Sequence, residues 1–355
     1  MRLKSFIHQL LLPGLFTLAA VSCSKVEPVP AVDQAISFAV GTYARQTKVS
    51  DVYVTDNIND FTSKAFLHAN GASTGTNYFG EDGITIQKTS TTWEPVRTYH
   101  WPKAPDSYIN FISWYDNNGT PSVATETRLH WENRTIGATD NILFADEAWG
   151  FQANTTTFYT SGVPTLFHHA LSRIAFTAKA TPLTDPDHAG TTWSVTVDDA
   201  HLEEIHRTGT MLLTNAQPAS TPATRAWNCA QPLLWTPTDT AADFELASSP
   251  LTLTNTDSDL LPLQSILPQS LANEVVLVLS YTVTTFSGGI QTSTETATRH
   301  IQMNRLVNSS NLYIHEWAPN KQYIYHITIN PMIGQILLNP TVTDWTSASA
   351  YATVE

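Results

Sequence analysis

Apolar and polar residues alternate in short runs along most of this chain, and Gly, Pro, Asn and Asp break the runs apart. In Tyr323–Ile329, Tyr323, Tyr325, Ile327 and Ile329 fall on one face of an extended strand, with Ile324, His326 and Thr328 on the other. The same period predicts strands at Ile36–Val40, Tyr108–Trp114, Arg173–Lys179, Thr192–Val197, Glu274–Thr285 and Thr294–Met303. Val275-Val276-Leu277-Val278-Leu279 is apolar throughout, as expected of a central strand buried on both faces. Phe286-Ser287-Gly288-Gly289-Ile290 reads as the hairpin turn that follows it. Helical signals are confined to Leu166–Ser172 and Asp198–Ile205, each enough for a short turn, and Asn215–Leu260 reads as an extended surface excursion. The pattern is that of an all-β chain, expected as two antiparallel β-sandwiches in series. Ser161-Gly162-Val163-Pro164 marks the boundary, with residues 35–162 in the N-terminal sandwich and 163–355 in the C-terminal one.

The alternation is absent from the first residues. Arg2 and Lys4 open a leader whose apolar run, Leu10 through Val21, ends in Ala20-Val21-Ser22-Cys23. That run is too short for a membrane-spanning helix, which needs about 20 residues. It has the form of a signal peptide, residues 1–22, cut before Cys23. Cys23 looks like the acylated first residue of a bacterial lipoprotein. The chain is therefore expected to be exported and held at the outer membrane by covalent diacylglycerol and N-acyl chains such as palmitate. The alternative is an uncleaved hydrophobic terminus with a chance cysteine. Residues 23–34, with Glu27-Pro28-Val29-Pro30, form a linker that lifts the fold off the membrane.

Composition narrows the classes of function. With 42% hydrophobic residues and ten Trp in 355 residues, the chain has ample material for packed cores. Only 14% of residues are charged, so the surface is largely Thr, Ser and Asn, which suits sheets facing water. A net charge of −13 repels phosphate backbones, and nucleic acid is not an expected partner. With Cys23 lipidated, Cys229 has no disulfide partner and reads as a small core residue beside Trp227.

Catalytic and metal-binding patterns are weak. His201-Leu202-Glu203-Glu204-Ile205-His206 mixes ligand types, but its histidines are five apart and would diverge on a helix. Adjacent His168 and His169 would point to opposite faces of a strand. Gly-x-Ser-x-Gly and phosphate-cradling glycine loops do not occur, and the carboxylates at Asp198-Asp199 and Asp257–Asp259 read as solvated turns. No metal, catalytic residue or cofactor is expected, and the chain does not read as an enzyme. Trp114, Tyr115, Trp131 and Trp149 lie in or beside loops of the first half. Exposed, such rings stack on sugars, which leaves open a surface lipoprotein that binds glycans without polymerising; a sandwich core would claim most of them.

Several motifs in order resemble the fimbrillin family of Bacteroidetes, subunits of lipoprotein-derived pili. Tyr99-His100-Trp101-Pro102 followed by Ile109–Tyr115 is similar to a first-half signature of that family. His169–Phe176 resembles the strand that opens its second domain, and Leu267-Pro268-Gln269-Ser270-Leu271 with Val275–Tyr281 is similar to its "PQ" turn and strand. Trp317–Tyr325 and Val342-Thr343-Asp344-Trp345 resemble its closing motifs.

The resemblance implies two transthyretin-like β-sandwich domains and a role as structural or accessory subunit of an adhesive cell-surface fimbria. It also implies partners: other fimbrillin-like subunits and an arginine-specific protease that removes the lipidated segment with the first strand. Arg45, just after Ile36–Val40, stands where that cut would fall; an ordinary surface arginine is the other reading. Ile36, Phe38 and Val40 would leave the core with the strand, exposing a sheet edge that a strand of another subunit fills. In the C-terminal run Ser347–Val354, Ala348, Ala350, Ala352 and Val354 share one face and form a candidate donor strand. An edge strand packed on its own domain is the alternative.

Overall fold

The computed structural model describes residues 34–41, 58–90, 92–104, 106–152, 162–215, 222–247, 250–271 and 275–345. Cys23, the linker, Arg45 and the run from Ser347 to Val354 lie outside the described residues. Apart from 3-10 turns at Ala69–Gly71 and Met303–Arg305, every element is a strand. Among the described residues no helix is long and apolar enough to cross a membrane.

The C-terminal half forms a sandwich. One sheet has the order Ser258–Ile266, Ser172–Ala180, Lys321–Asn330, Gln335–Asp344; the facing one runs Ala242–Ala247, Thr191–Ile205, Val276–Ser287, Ile290–Gln302. Their inner faces meet in one apolar cluster that includes Phe176, Val197, Leu277, Leu279, Tyr323, Tyr325 and Ile327. Tyr323, Tyr325, Ile327 and Ile329 are all buried, and the three residues between them are half-exposed, as alternation requires. The hairpin tip at Gly288 and Gly289 has φ of 57° and 81°, a turn in which both residues need the left-handed region.

The first half builds a larger sheet. Its main path is Val163–Thr165, Phe38–Val40, Trp93–Pro95, Ile84–Lys88, Asp60–His68, Tyr108–Asp116, Glu147–Phe151, Ala223–Arg225. A smaller sheet carries Val123–Thr125, Arg128–Thr135, Thr208–Thr214 and Asn228–Cys229, with Trp235–Pro237 also on Thr208–Thr214. Residues 208–237 thus return from the second half to complete a sheet begun by Arg128–Thr135.

Two expectations need correction. Asn215–Leu260 is not a surface excursion: it supplies five complete strands, and the indoles of Trp227 and Trp235 are buried, donating to the carbonyls of Ala145 and Ala170 at 2.9 and 2.7 Å. Those bonds satisfy each indole N–H inside the core, which lets a polar-looking stretch hold two large apolar anchors. Leu166–Ser172 and Asp198–Ile205 are extended rather than helical. Phe167–His169 pairs with Ile142–Ala145, and Thr191–Ile205 pairs along twelve positions with Val276–Ser287. Ladder pairing outweighs a marginal local preference over so short a stretch. Trp114, Trp131 and Trp149 are buried and Tyr115 is half-buried, as expected of rings claimed by a sandwich core.

Candidate assembly site

Phe38–Val40 is three residues long, and it lies inside its sheet. On one side it pairs in parallel with Val163–Thr165, in the register Phe38 to Val163 and Val40 to Thr165. On the other side Phe38 faces Trp93 in an antiparallel pair, and Ala35 bridges His100. The backbone is held on both flanks. Ile36 N–H donates to Tyr99 O at 2.7 Å and Trp101 N–H to Gln34 O at 3.1 Å. Opposite them, Val163 N–H donates to Ser37 O at 2.8 Å and Gly41 N–H to Thr165 O at 3.3 Å.

The expectation that removing this strand bares one sheet edge is therefore corrected. Its loss would open a slot with unpaired backbone on both walls, and Val163–Thr165 would lose its only strand partner among the described residues. Pro164 fits that end position, since an outermost strand tolerates a residue without an N–H.

Ile36, Phe38 and Val40 are 1%, 3% and 8% exposed, all in the same apolar cluster. The Phe38 ring stands edge-on to Phe61 and to Phe111, each at 5.6 Å between centroids, with planes 80° and 83° apart. Phe61 in turn meets Phe167 at 5.1 Å, and Phe111 meets Trp101 at 5.9 Å. Full burial of such a side chain stabilises by about 1.5–3 kcal/mol, so the three together contribute roughly 5–9 kcal/mol as an upper bound.

Gly162 makes the close parallel approach possible. A Cβ there would lie 2.8 Å from the Phe38 carbonyl carbon and 3.0 Å from the Ala39 nitrogen, and its φ of +80° is itself unfavourable for other residues. The sequence marks Gly162 only as part of a domain boundary, and neither the slot floor of Phe61 and Phe111 nor the Val163–Thr165 wall is legible there. Alternation around Phe61 and Phe111 shows buried strands but not which strand they cover.

Other candidates resolve into structural roles. His201 Nδ1 lies 2.8 Å from Asp199 and His206 Nδ1 lies 2.9 Å from Asp239, so each has its own carboxylate. Among the described residues no group of three or more His, Cys, Asp or Glu side chains could hold a metal ion. His168 pairs with Asp146 at 2.9 Å while His169 turns inward onto Trp345. Cys229 is half-buried against the tryptophan-rich core. Burial pushes the Glu147 carboxyl up to about 8, partly offset by the Trp149 indole and Arg225, and pushes His169 down to about 3.

The layered β-sandwich architecture has counterparts among solved structures. A fimbrial protein from Bacteroides vulgatus superposes with a TM-score of 0.54 at 15% identity, covering 88% of this chain and 100% of that one. A fimbrilin from Porphyromonas gingivalis gives 0.41 at 12% identity over 90% and 99% of the two chains. A tip fimbrial protein from the same organism gives 0.40 at 8% over 88% and 100%. No curated relative matches the chain. The class is that of layered all-β proteins. The fimbrillin-like family matches residues 46–345, and this chain belongs to that family. It is a pilus or adhesion subunit, a structural protein rather than an enzyme, exported to the cell surface, and its partners are other fimbrial subunits.

Proposed function

We propose that this chain is a fimbrial subunit activated by loss of its first strand. Signal peptidase cuts before Cys23, and lipid on Cys23 holds the precursor at the outer membrane. An arginine-specific protease then cuts after Arg45, releasing the lipid and residues 34–41 together. The slot between Trp93–Pro95 and Val163–Thr165 takes a donor strand from the next subunit, with Ala348, Ala350, Ala352 and Val354 facing inward. One observation carries this reading: the first strand is buried and hydrogen-bonded on both flanks, and Arg45 follows it by five residues in the sequence. The match to the family begins at Gln46, the residue after Arg45, which supports the same boundary. Two tandem sandwiches, 35–162 and 163–355, are the proposed domain division, with strands Val163–Thr165 and Phe167–His169 and residues 208–237 contributed to the first.

Donor-strand complementation needs a groove that is costly to leave empty. Vacating this one exposes a nest of aromatic rings and two rows of backbone groups, so any fitting extended chain is driven into it. An arginine-specific protease acting on the full-length precursor tests the proposal. A cut after Arg45 followed by ladders resistant to SDS is the expected outcome, and Arg45→Ala should abolish both. A precursor cut at Arg45 that stays monomeric would refute the stalk-subunit role. The glycan-binding alternative loses its support with the burial of Trp114, Trp131 and Trp149.

A further inference from the structure

The C-terminal sandwich has four sheet edges, and three of them are blunted. Ser258–Ile266 carries Pro262, Gln335–Asp344 carries Pro340, and the six-residue Ala242–Ala247 exposes Asp243 and Glu245. Proline and charge are the ordinary devices that stop sheet edges from pairing with other chains. The fourth, Ile290–Gln302, is thirteen residues long, free of Pro and Gly, and paired only with Val276–Ser287 among the described residues.

Two opposite charges sit on this open edge. Glu295 lies opposite Val283 and Arg299 opposite Leu279, so both project on the core-side face of the sheet, with Ala297 between them opposite Tyr281. Both are exposed, and neither makes an ion pair or hydrogen bond among the described residues. Four residues apart on a strand, they are about 13 Å from each other and cannot pair within one chain.

We infer that Ile290–Gln302 is a self-pairing edge that joins two copies of this chain antiparallel about a dyad at Ala297. In that register each Glu295 faces the Arg299 of the second copy, giving two reciprocal ion pairs around a small alanine contact. Thr296 then faces Thr298. On that opposite face hydroxyls already run across the sheet, Thr282 to Thr296 at 2.9 Å and Ser280 to Thr298 at 2.8 Å, and the dyad extends those rows into the second copy. Charges on an edge strand repel unrelated strands, but their symmetric placement admits this one, so the same two residues exclude and select. A two-fold contact closes on itself and forms pairs, not fibres. It is separate from the slot at Phe38–Val40 and does not depend on strand replacement.

Sedimentation velocity on the full-length, uncut chain in mild detergent, across the micromolar range, tests this. The parent is expected to show concentration-dependent dimers. Glu295→Arg alone and Arg299→Glu alone place like charges opposite each other and should each weaken association at least about tenfold. An equimolar mixture of the two variants should dimerise again, because every arginine then faces a glutamate. A monomeric parent, single variants that dimerise like the parent, or a mixture that stays monomeric would each overturn the inference.

Discussion

The indole of Trp345 stacks on the imidazole of His169 with centroids 3.8 Å apart and planes 9° from parallel. Arg173 covers the same indole at 5.1 Å, and Trp345 N–H donates to Asn320 O at 2.9 Å. Trp345 is the last described residue before the proposed donor run, so this clamp fixes where the tail leaves the body. Replacing Trp345 with Ala empties a buried site and should cost about 3–5 kcal/mol in denaturant unfolding.

His169 should make the fold acid-sensitive. Burial, with Arg173 and His168 nearby, holds its folded-state value near 3 against 6.5 when unfolded. Between those values the unfolded chain binds a proton that the native chain refuses, so stability falls as pH drops from 6.5 toward 3. The slope is about 1.4 kcal/mol per pH unit. His169→Phe keeps a ring against Trp345 and should remove that slope in urea titrations repeated across pH.

Glu147 pulls the other way. Its folded-state value of about 8 lies above the ordinary 4.5, so the native chain retains a proton that the unfolded chain has released. Its contribution is complete below 4.5 and is lost as pH rises through about 8. Glu147→Gln should flatten the alkaline fall in stability. In the parent the two slopes oppose each other between pH 4.5 and 6.5, where stability should vary least with pH.

Gly162 should control how firmly the first strand is seated. Gly162→Ala pushes a methyl group against the Phe38 backbone at a φ of +80°, so a loss above about 1 kcal/mol is expected. The loss should be local. Hydrogen exchange should speed up at Ile36 and Val163 while Tyr325 in the C-terminal core stays protected.

What the sequence reveals follows from the range of the interactions. The apolar pattern locates Tyr108–Asp116, Ser172–Ala180 and Lys321–Asn330 to within one or two residues, the first buried on both faces and the other two mainly on one. Pairing is another matter. Ser172–Ala180 runs parallel to Lys321–Asn330 across some 150 intervening residues, and no local pattern encodes that choice. The same holds for the site: Ile36, Phe38 and Val40 read as one buried face, but their interior position depends on Val163–Thr165, over a hundred residues away. Trp131 and Trp149 read as rings that a core would claim, but no local pattern says which partners they meet. In the fold, Trp131 donates to Asp116 at 3.1 Å inside the core.

The replacement of the first strand is tested most directly at two amides that it now protects, Trp101 N–H on Gln34 and Val163 N–H on Ser37. Hydrogen exchange at these two sites should be slow in the precursor, fast in the monomer just after cleavage at Arg45, and slow again once ladders form. In a cleaved chain lacking residues 346–355 both sites should stay fast. Unchanged protection after the cut, or its recovery in the chain without its tail, would contradict donor-strand assembly through this slot.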